Sequence, residues 1–298
     1  EVSIFTSLNT VKKSNAHIEL AGNTWWANIL YNRRVYYLRD FISHYLDHFK
    51  GEFLFVKGDA NPRLSTQNTG EMYLFEIPLL LVGLYSVLKW RNRYTALLFG
   101  WLLISPIPAA MARETPHMLR IASILPSFQI FSAVGAVSLW NRVKKQKHQW
   151  RFTSLVAFSF LIIINLATYF HYYWVHYALD WSGEWQYGYK EMVKKVSAME
   201  NNYDQITVTS DKGRPYIYFL FYNQIDPLLF LANRRAERDW YGFWNVYGFG
   251  KYDFTGKNLS TEGRVLKVGT SGTFKNSGTK IDEVKDLTGK TVFEIGEQ

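Results

Sequence analysis

Four long apolar runs set the pattern of the chain, over residues 72–90, 94–112, 118–140 and 152–174. Each is close to the ~20 residues a helix needs to cross ~30 Å of hydrocarbon at 1.5 Å per residue. Their ends carry Tyr73, Trp90, Tyr94, Trp140, Tyr169, Tyr172, Tyr173 and Trp174, the ring type that sits at headgroup depth. Residues 1–71 hold no such run. Within them Tyr37, Phe41, Tyr45 and Phe49 recur at i, i+4 steps, which predicts a helix over 35–49. Beside Arg33, Arg34 and Arg39 that helix reads either as lying in a membrane interface or as an ordinary amphipathic core helix. Residues 57–70, KGDANPRLSTQNTG, are a loop. After the fourth run the pattern turns globular. It predicts a helix over 188–199, a strand over 205–210, a helix or strand over 215–222, and strands over 264–268 and 291–295.

The expected fold is therefore a polytopic α-helical membrane protein followed by a small α/β domain. Residues 1–71 form an external loop with an interfacial helix, 72–174 a four-span transmembrane region, and 175–298 an extracytoplasmic α/β domain. The aromatics of 240–252 are expected either in its core or on a membrane or partner.

Charge gives this arrangement an orientation. The net charge is +9, a value that invites nucleic acid as a partner, but its location excludes that reading. Residues 1–71 and 175–298 are nearly balanced, and the surplus falls within 72–174. There Lys89, Arg91 and Arg93 fill one connection between runs, and Arg142, Lys144, Lys145, Lys147 and Arg151 fill another, with no acid in either. By the positive-inside rule, loops 89–93 and 141–151 are cytoplasmic. The N-terminal segment and the C-terminal domain of this multi-pass cell-membrane protein then lie outside. A chain opening at Glu1 does not easily place 1–71 outside, so earlier spans of a longer protein are expected upstream. The mean hydropathy of −0.15 averages two unlike kinds of segment and decides nothing.

Candidate chemistry gathers in 105–126, SPIPAAMARETPHMLRIASILP, between the second and third runs. Arg113, Glu114, His117 and Arg120 fall within eight positions there. Two cations, a carboxylate and an imidazole at one membrane surface suit an anionic lipid headgroup. If Met118 opens a helix, His117 and Arg120 share a face. In the preceding loop, Asp59 and Arg63 are a charged pair able to orient a polar substrate, or a turn former and a solvated cation. Glu76, near the start of the first run, faces protein or the interface. Pro106, Pro108 and Pro126 interrupt the runs, and the freed backbone groups need protein or a wet cavity around them. His44 and His48 stand four apart, a spacing that chelates zinc. With no third ligand nearby and no HExxH, surface or interfacial histidines read better. Cysteine is absent, so there is no thiolate site. No metal, cofactor, phosphate loop or serine elbow is indicated.

At 115–135, TPHMLRIASILPSFQIFSAVG, the chain resembles membrane glycosyltransferases of the protein O-mannosyltransferase and aminoarabinose transferase type, family 39 of the GT-C architecture. Glu114, His117, Arg120, Leu125, Pro126 and Gly135 match the E-x-x-H-x-x-R-like loop and LP step of that pattern. Residues 57–85 are similar to the loop and span that precede it, and 211–227 to the external domain, so the resemblance covers roughly 50–230. It implies a GT-C bundle that transfers a sugar from a polyprenyl-phosphate carrier to a protein, lipid or glycan acceptor on the outer face. It also implies a catalytic carboxylate upstream of residue 1, leaving the catalytic residue of this chain unknown. Arg113 and Arg120 are expected to hold the carrier phosphate, with His117 a further donor. Glu114 is expected to orient an arginine, bind the acceptor hydroxyl, or sit in water. The competing reading is a non-enzymatic membrane protein, a transporter or assembly subunit with an external domain.

Overall fold

The computed structural model describes residues 3–240, 242–255, 263–275 and 278–297. They divide into two compact units, Glu1–His176 and Tyr177–Gln298.

The first unit opens with three helices, α1 (Leu8–Leu20), α2 (Trp25–Leu30) and α3 (Arg33–Asp47). Ser7 and Asn32 start the first and third by accepting backbone N–H bonds with their side chains. No residue of α3 is buried, so α3 is not a core helix. Its aromatic stripe is a ladder, Phe41–Tyr45–Phe49, with centroids 6.4 and 5.4 Å apart. Val35, Leu38, Ile42 and Leu46 remain exposed.

Four apolar helices follow, one overlapping each of the four predicted windows: α4 (Glu76–Trp90), α5 (Arg93–Ile104), α7 (Ser127–Val143) and α8 (His148–His171), with a single turn, α6 (Ile107–Ala110), after α5. Among the described residues, two helical stretches are long and apolar enough to cross a membrane: Ala122–Val143, a 3-10 turn followed by α7, and His148–Trp185, which begins with α8. With 15 and 12 residues, α4 and α5 are shorter than the windows that predicted them. Residues 72–75 are drawn out of α4 by the chain before it, where Met72 N–H donates to the Leu54 carbonyl at 2.7 Å. The second window is broken at Ser105–Pro106. Glu76 is half-buried at the first position of α4, its Oε2 accepting the Tyr73 N–H at 3.0 Å. That bond fastens the segment before α4 to the helix start, where a carboxylate also complements the helix dipole.

α4 and α7 run side by side in the same direction, joined through small residues. A Cβ on Gly83 would overlap the Phe131 carbonyl, and one on Gly135 would overlap that of Leu79. One turn further on, Ser86 Oγ donates to Ser138 Oγ at 3.1 Å. Small residues at matched positions let two helix backbones touch. Trp101 and Ser105 near the end of α5 donate to the Ser123 carbonyl, and Asn165 near the end of α8 accepts the Leu74 N–H at 3.2 Å. The starts of α4 and α7 and the ends of α5 and α8 therefore share one end of the unit. The basic connections 89–93 and 141–151 share the other.

In the second unit, α9 (Ala178–Trp181) and α10 (Tyr189–Met199) precede the strand β1 (Gln205–Val208). α11 (Pro215–Tyr222) and α12 (Pro227–Asn233) come next. The strands β2 (Arg234–Arg238), β3 (Trp244–Phe249), β4 (Tyr252–Asp253), β5 (Val265–Thr270), β6 (Thr279–Lys285) and β7 (Thr291–Glu297) complete it. They form one sheet in the order β2-β3-β4-β1-β5-β7-β6. β1 is parallel to β4 and β5, and the outer pairs are antiparallel. Tyr189, Met192, Val193 and Val196 on α10, at helical spacing, and Phe219 on α11 pack on the face carrying Ile206, Val208, Leu266 and Val268. Pro215, at the first position of α11, settles 215–222 as a helix. Of the aromatics in 240–252, Phe249 and Tyr252 are core, whereas Trp240 and Phe243 are exposed.

Candidate functional site

The polar loop after α6 is built from its backbone outward. One face of α3 grips it. His44 Nδ1–H donates to the Ala112 carbonyl at 2.8 Å, Asp47 Oδ2 accepts the Thr115 hydroxyl at 2.9 Å, and His48 Nε2 accepts the His117 N–H at 3.3 Å. These three stand at i, i+3 and i+4, on one helical face. His48 is fully buried rather than a surface histidine. It donates from Nδ1 to the His44 carbonyl at 2.8 Å, which fixes the neutral tautomer. Burial pushes its pKa down, outweighing the bond to His44. Burial raises the Asp47 carboxyl, but hydrogen bonds from Lys50 and Thr115 more than offset this and hold it below the usual range.

A second grip comes from Asp59. The residue is 2% exposed, and it is a turn former whose carboxylate also reaches the loop. Oδ2 accepts the Met118 N–H at 2.7 Å and Oδ1 the Asn61 N–H at 2.8 Å. Gln67 donates to the Asp59 carbonyl, and the Asp59 N–H donates to Glu71 Oε1 at 2.9 Å. Gly58, at φ +76°, lets the chain turn here, where a Cβ would meet Ser65 and Glu71. Burial, with the Asp59 charge in addition, pushes the Glu71 carboxyl up to about 7.

His117 Nδ1 is buried and makes no hydrogen bond, at 3.7 Å from Asp59 Oδ2. That separation allows electrostatic contact and is too long for a hydrogen bond. Arg120 donates to the Glu114 carbonyl at 3.0 Å and lies 3.5 Å from its carboxylate. The Glu114 side chain is 80% exposed, so of its three expected roles the geometry carries a carboxylate in water at the edge of Arg120. Arg113 instead donates to the Ser3 carbonyl at 3.1 Å. Arg63 is exposed and donates through Nε to Asn61 Oδ1 at 3.3 Å, while Asp59 turns inward.

No family model matches the chain, and no curated protein or solved structure is detectably similar to it.

The loop geometry corrects one expectation. Met118 does not open a helix: residues 118–121 are turns, Ala122–Ile124 is a 3-10 turn, and α7 begins at Ser127. Pro126 holds Leu125 extended, at φ −71° and ψ 139°, which stops a helix from running through. His117 thus faces Asp59, and Arg120 faces Glu114. A cleft of about 350 Å³ beside the loop is lined by Lys50, Lys57, Gln67 and Thr115 among others, and not by Arg113, His117 or Arg120. Zinc chelation by His44 and His48 finds no third ligand: no metal-binding group of three is present among the described residues. The residues missed in sequence, Asp47 and Glu71, carried one usable signal. Asp47 lies between the two histidines, and the spacing that suggested chelation marks the face that holds the loop.

Proposed function

We propose that the chain is the C-terminal part of an integral membrane glycosyltransferase, moving a sugar from a polyprenyl-phosphate carrier to a protein, lipid or glycan acceptor on the outer face. One observation carries the reading. The loop with Arg113, His117 and Arg120 is anchored by buried Asp59 and His48 at the end of the helices opposite the basic connections. α8 adds support for the bilayer, since it is long and apolar and none of its residues is buried. A lipid phosphate leaving a sugar develops negative charge where water is scarce, and cations held in place before the reaction stabilise it. Arg120, braced by Glu114, supplies such a cation, and its planar fork suits two phosphate oxygens. His117 is turned towards Asp59 and away from Arg120, so the reading rests on Arg120.

Arg120→Ala in the complete enzyme, assayed with a polyprenyl-phosphate sugar, is expected to reduce turnover roughly 10²–10³-fold, as for loss of one preorganised transition-state donor. Unchanged turnover would remove Arg120 from the site.

A further inference from the structure

We propose that the second unit holds a saccharide-binding site, in the cavity between the start of α10, the loop after β1 and the β6–β7 turn. The cavity measures about 730 Å³, within the ~300–1,000 Å³ of small-molecule sites. Its place is the one where open α/β sheets take ligands, outside the carboxyl ends of parallel strands. β1 and β5 are parallel neighbours, and the loop carrying Asp211 and Lys212 leaves the carboxyl end of β1. β7 runs antiparallel to β5 with Phe293 opposite Thr270, so Thr291 and the turn before it stand at the carboxyl end of β5.

One buried group points to a ligand. Tyr189, the first residue of α10, lines the cavity and is 1% exposed. Its ring is held by Tyr218, stacked at 4.1 Å, and by Phe293, edge-on at 4.9 Å. Its hydroxyl is buried and makes no hydrogen bond among the described residues. Burial, with Tyr218 and the Asp211 carboxylate nearby, pushes the phenol pKa up, so the group stays a donor. A buried hydroxyl without a partner destabilises the fold, and an acceptor on a bound molecule relieves that cost.

The lining selects the ligand class. Asp180 and Asp211 are exposed, and their side chains enter no hydrogen bond or ion pair among the described residues. Carboxylates of this kind accept from neighbouring hydroxyls. Trp181 and Tyr187 line the same cavity and supply flat apolar surface for the C–H face of a sugar ring. Asp180, Glu184, Asp211 and Asp286 outnumber Lys212 and Lys290 there, which disfavours a phosphate or sulfate. No metal-binding group of three is present among the described residues. A neutral or amine-bearing saccharide fits both the rings and the charge. The inference rests on these residues and not on the sugar-transfer reading.

The test applies the whole chain in detergent, detected through a terminal epitope tag, to an array of neutral, amine-bearing and acidic oligosaccharides. Retention on neutral or amine-bearing sugars is expected. Retention on none, or on acidic sugars alone, overturns the proposal. Affinity for the best-retained saccharide, measured by titration calorimetry, is expected to fall about tenfold in Tyr189→Phe and in Asp211→Asn, for one hydrogen bond each. Tyr189→Phe removes a hydroxyl that has no partner in the fold, so its melting point without saccharide is expected to equal or exceed the parent's. Lost affinity with retained stability separates ligand contact from misfolding. Asp211 is exposed, so Asp211→Asn carries the test if Tyr189→Phe melts early. Unchanged affinity in both variants places the binding elsewhere and overturns the proposal. Arg120→Ala is expected to bind as the parent does, and loss of binding there assigns the saccharide to the first unit instead.

Discussion

Glu71 shows how one side chain ties the loop's geometry to pH. Its carboxyl is pushed from an ordinary 4.5 to about 7 by burial and by Asp59. Between those values the folded chain keeps a proton that the unfolded chain has lost, so the carboxyl's cost to folding is absent below 4.5 and complete above 7. Stability should fall as pH rises through that window. Glu71→Gln retains an oxygen for the Asp59 N–H and removes the charge. It is expected to stabilise the protein at pH 8 by roughly 1–3 kcal/mol, allowing for partial solvent access, with the gain shrinking towards pH 5. Thermal unfolding in detergent at the two pH values reads this directly, and identical melting of parent and variant at pH 8 would contradict it. In sequence Glu71 is one more polar residue at the end of a loop. Its role depends on Gly58 folding the chain back onto it, a tertiary fact that no local pattern encodes. Asp59 was recognisable as a candidate, yet its partner, the backbone of Met118, lies 59 positions away.

Among the elements, the α4–α7 pair sets the tightest constraint. Gly83 and Gly135 stand where a methyl group would enter the opposite backbone. Gly83→Ala or Gly135→Ala is expected to destabilise by at least ~1–3 kcal/mol through overpacking. Ser86→Ala should cost about 1 kcal/mol for its hydrogen bond. A melting series over the three variants checks the order, and a glycine variant that melts like its parent would show that the helices do not touch there. Apolar windows located these helices because burial or lipid contact demands long apolar runs. Partners were not legible, because periodicity gives a helix its faces and does not say which helix meets them. Ends were misread where backbone geometry overrode composition: Pro126 delays α7, and the 72–75 segment pairs with Leu54 instead of joining α4. In the sheet, β1, β5 and β7 were readable from their apolar content. β2 (RRAER) and β6 (TKIDEVK) were not, because edge strands carry charges that erase the alternation of a strand.

On the scale of the whole molecule, the two ends of the helical unit differ in chemistry. One gathers the lysines and arginines of 89–93 and 141–151, the other the clamped loop with Asp59 and His48. If the unit crosses a bilayer with the basic end inside, Lys145→Cys should react with a membrane-impermeant maleimide only after the membrane is opened. Arg63→Cys should react in intact cells. Reversed labelling would invert the topology and remove the carrier-phosphate reading with it. The positive-inside pattern was fully legible, since it depends on composition in short connections. The grip of α3 on the loop was not.

That grip has a consequence for the order of assembly. His44, Asp47 and His48 hold partners 68 and 69 positions further along, and α4, α5 and α6 all lie in between. Contacts of such sequence separation carry a loop-closure cost that packing of the intervening helices lowers. The loop bearing Arg113, His117 and Arg120 is therefore held most readily in a chain whose preceding helices are already in place. A misassembled copy displays the same residues without the clamp, so the site doubles as a seal on completed folding.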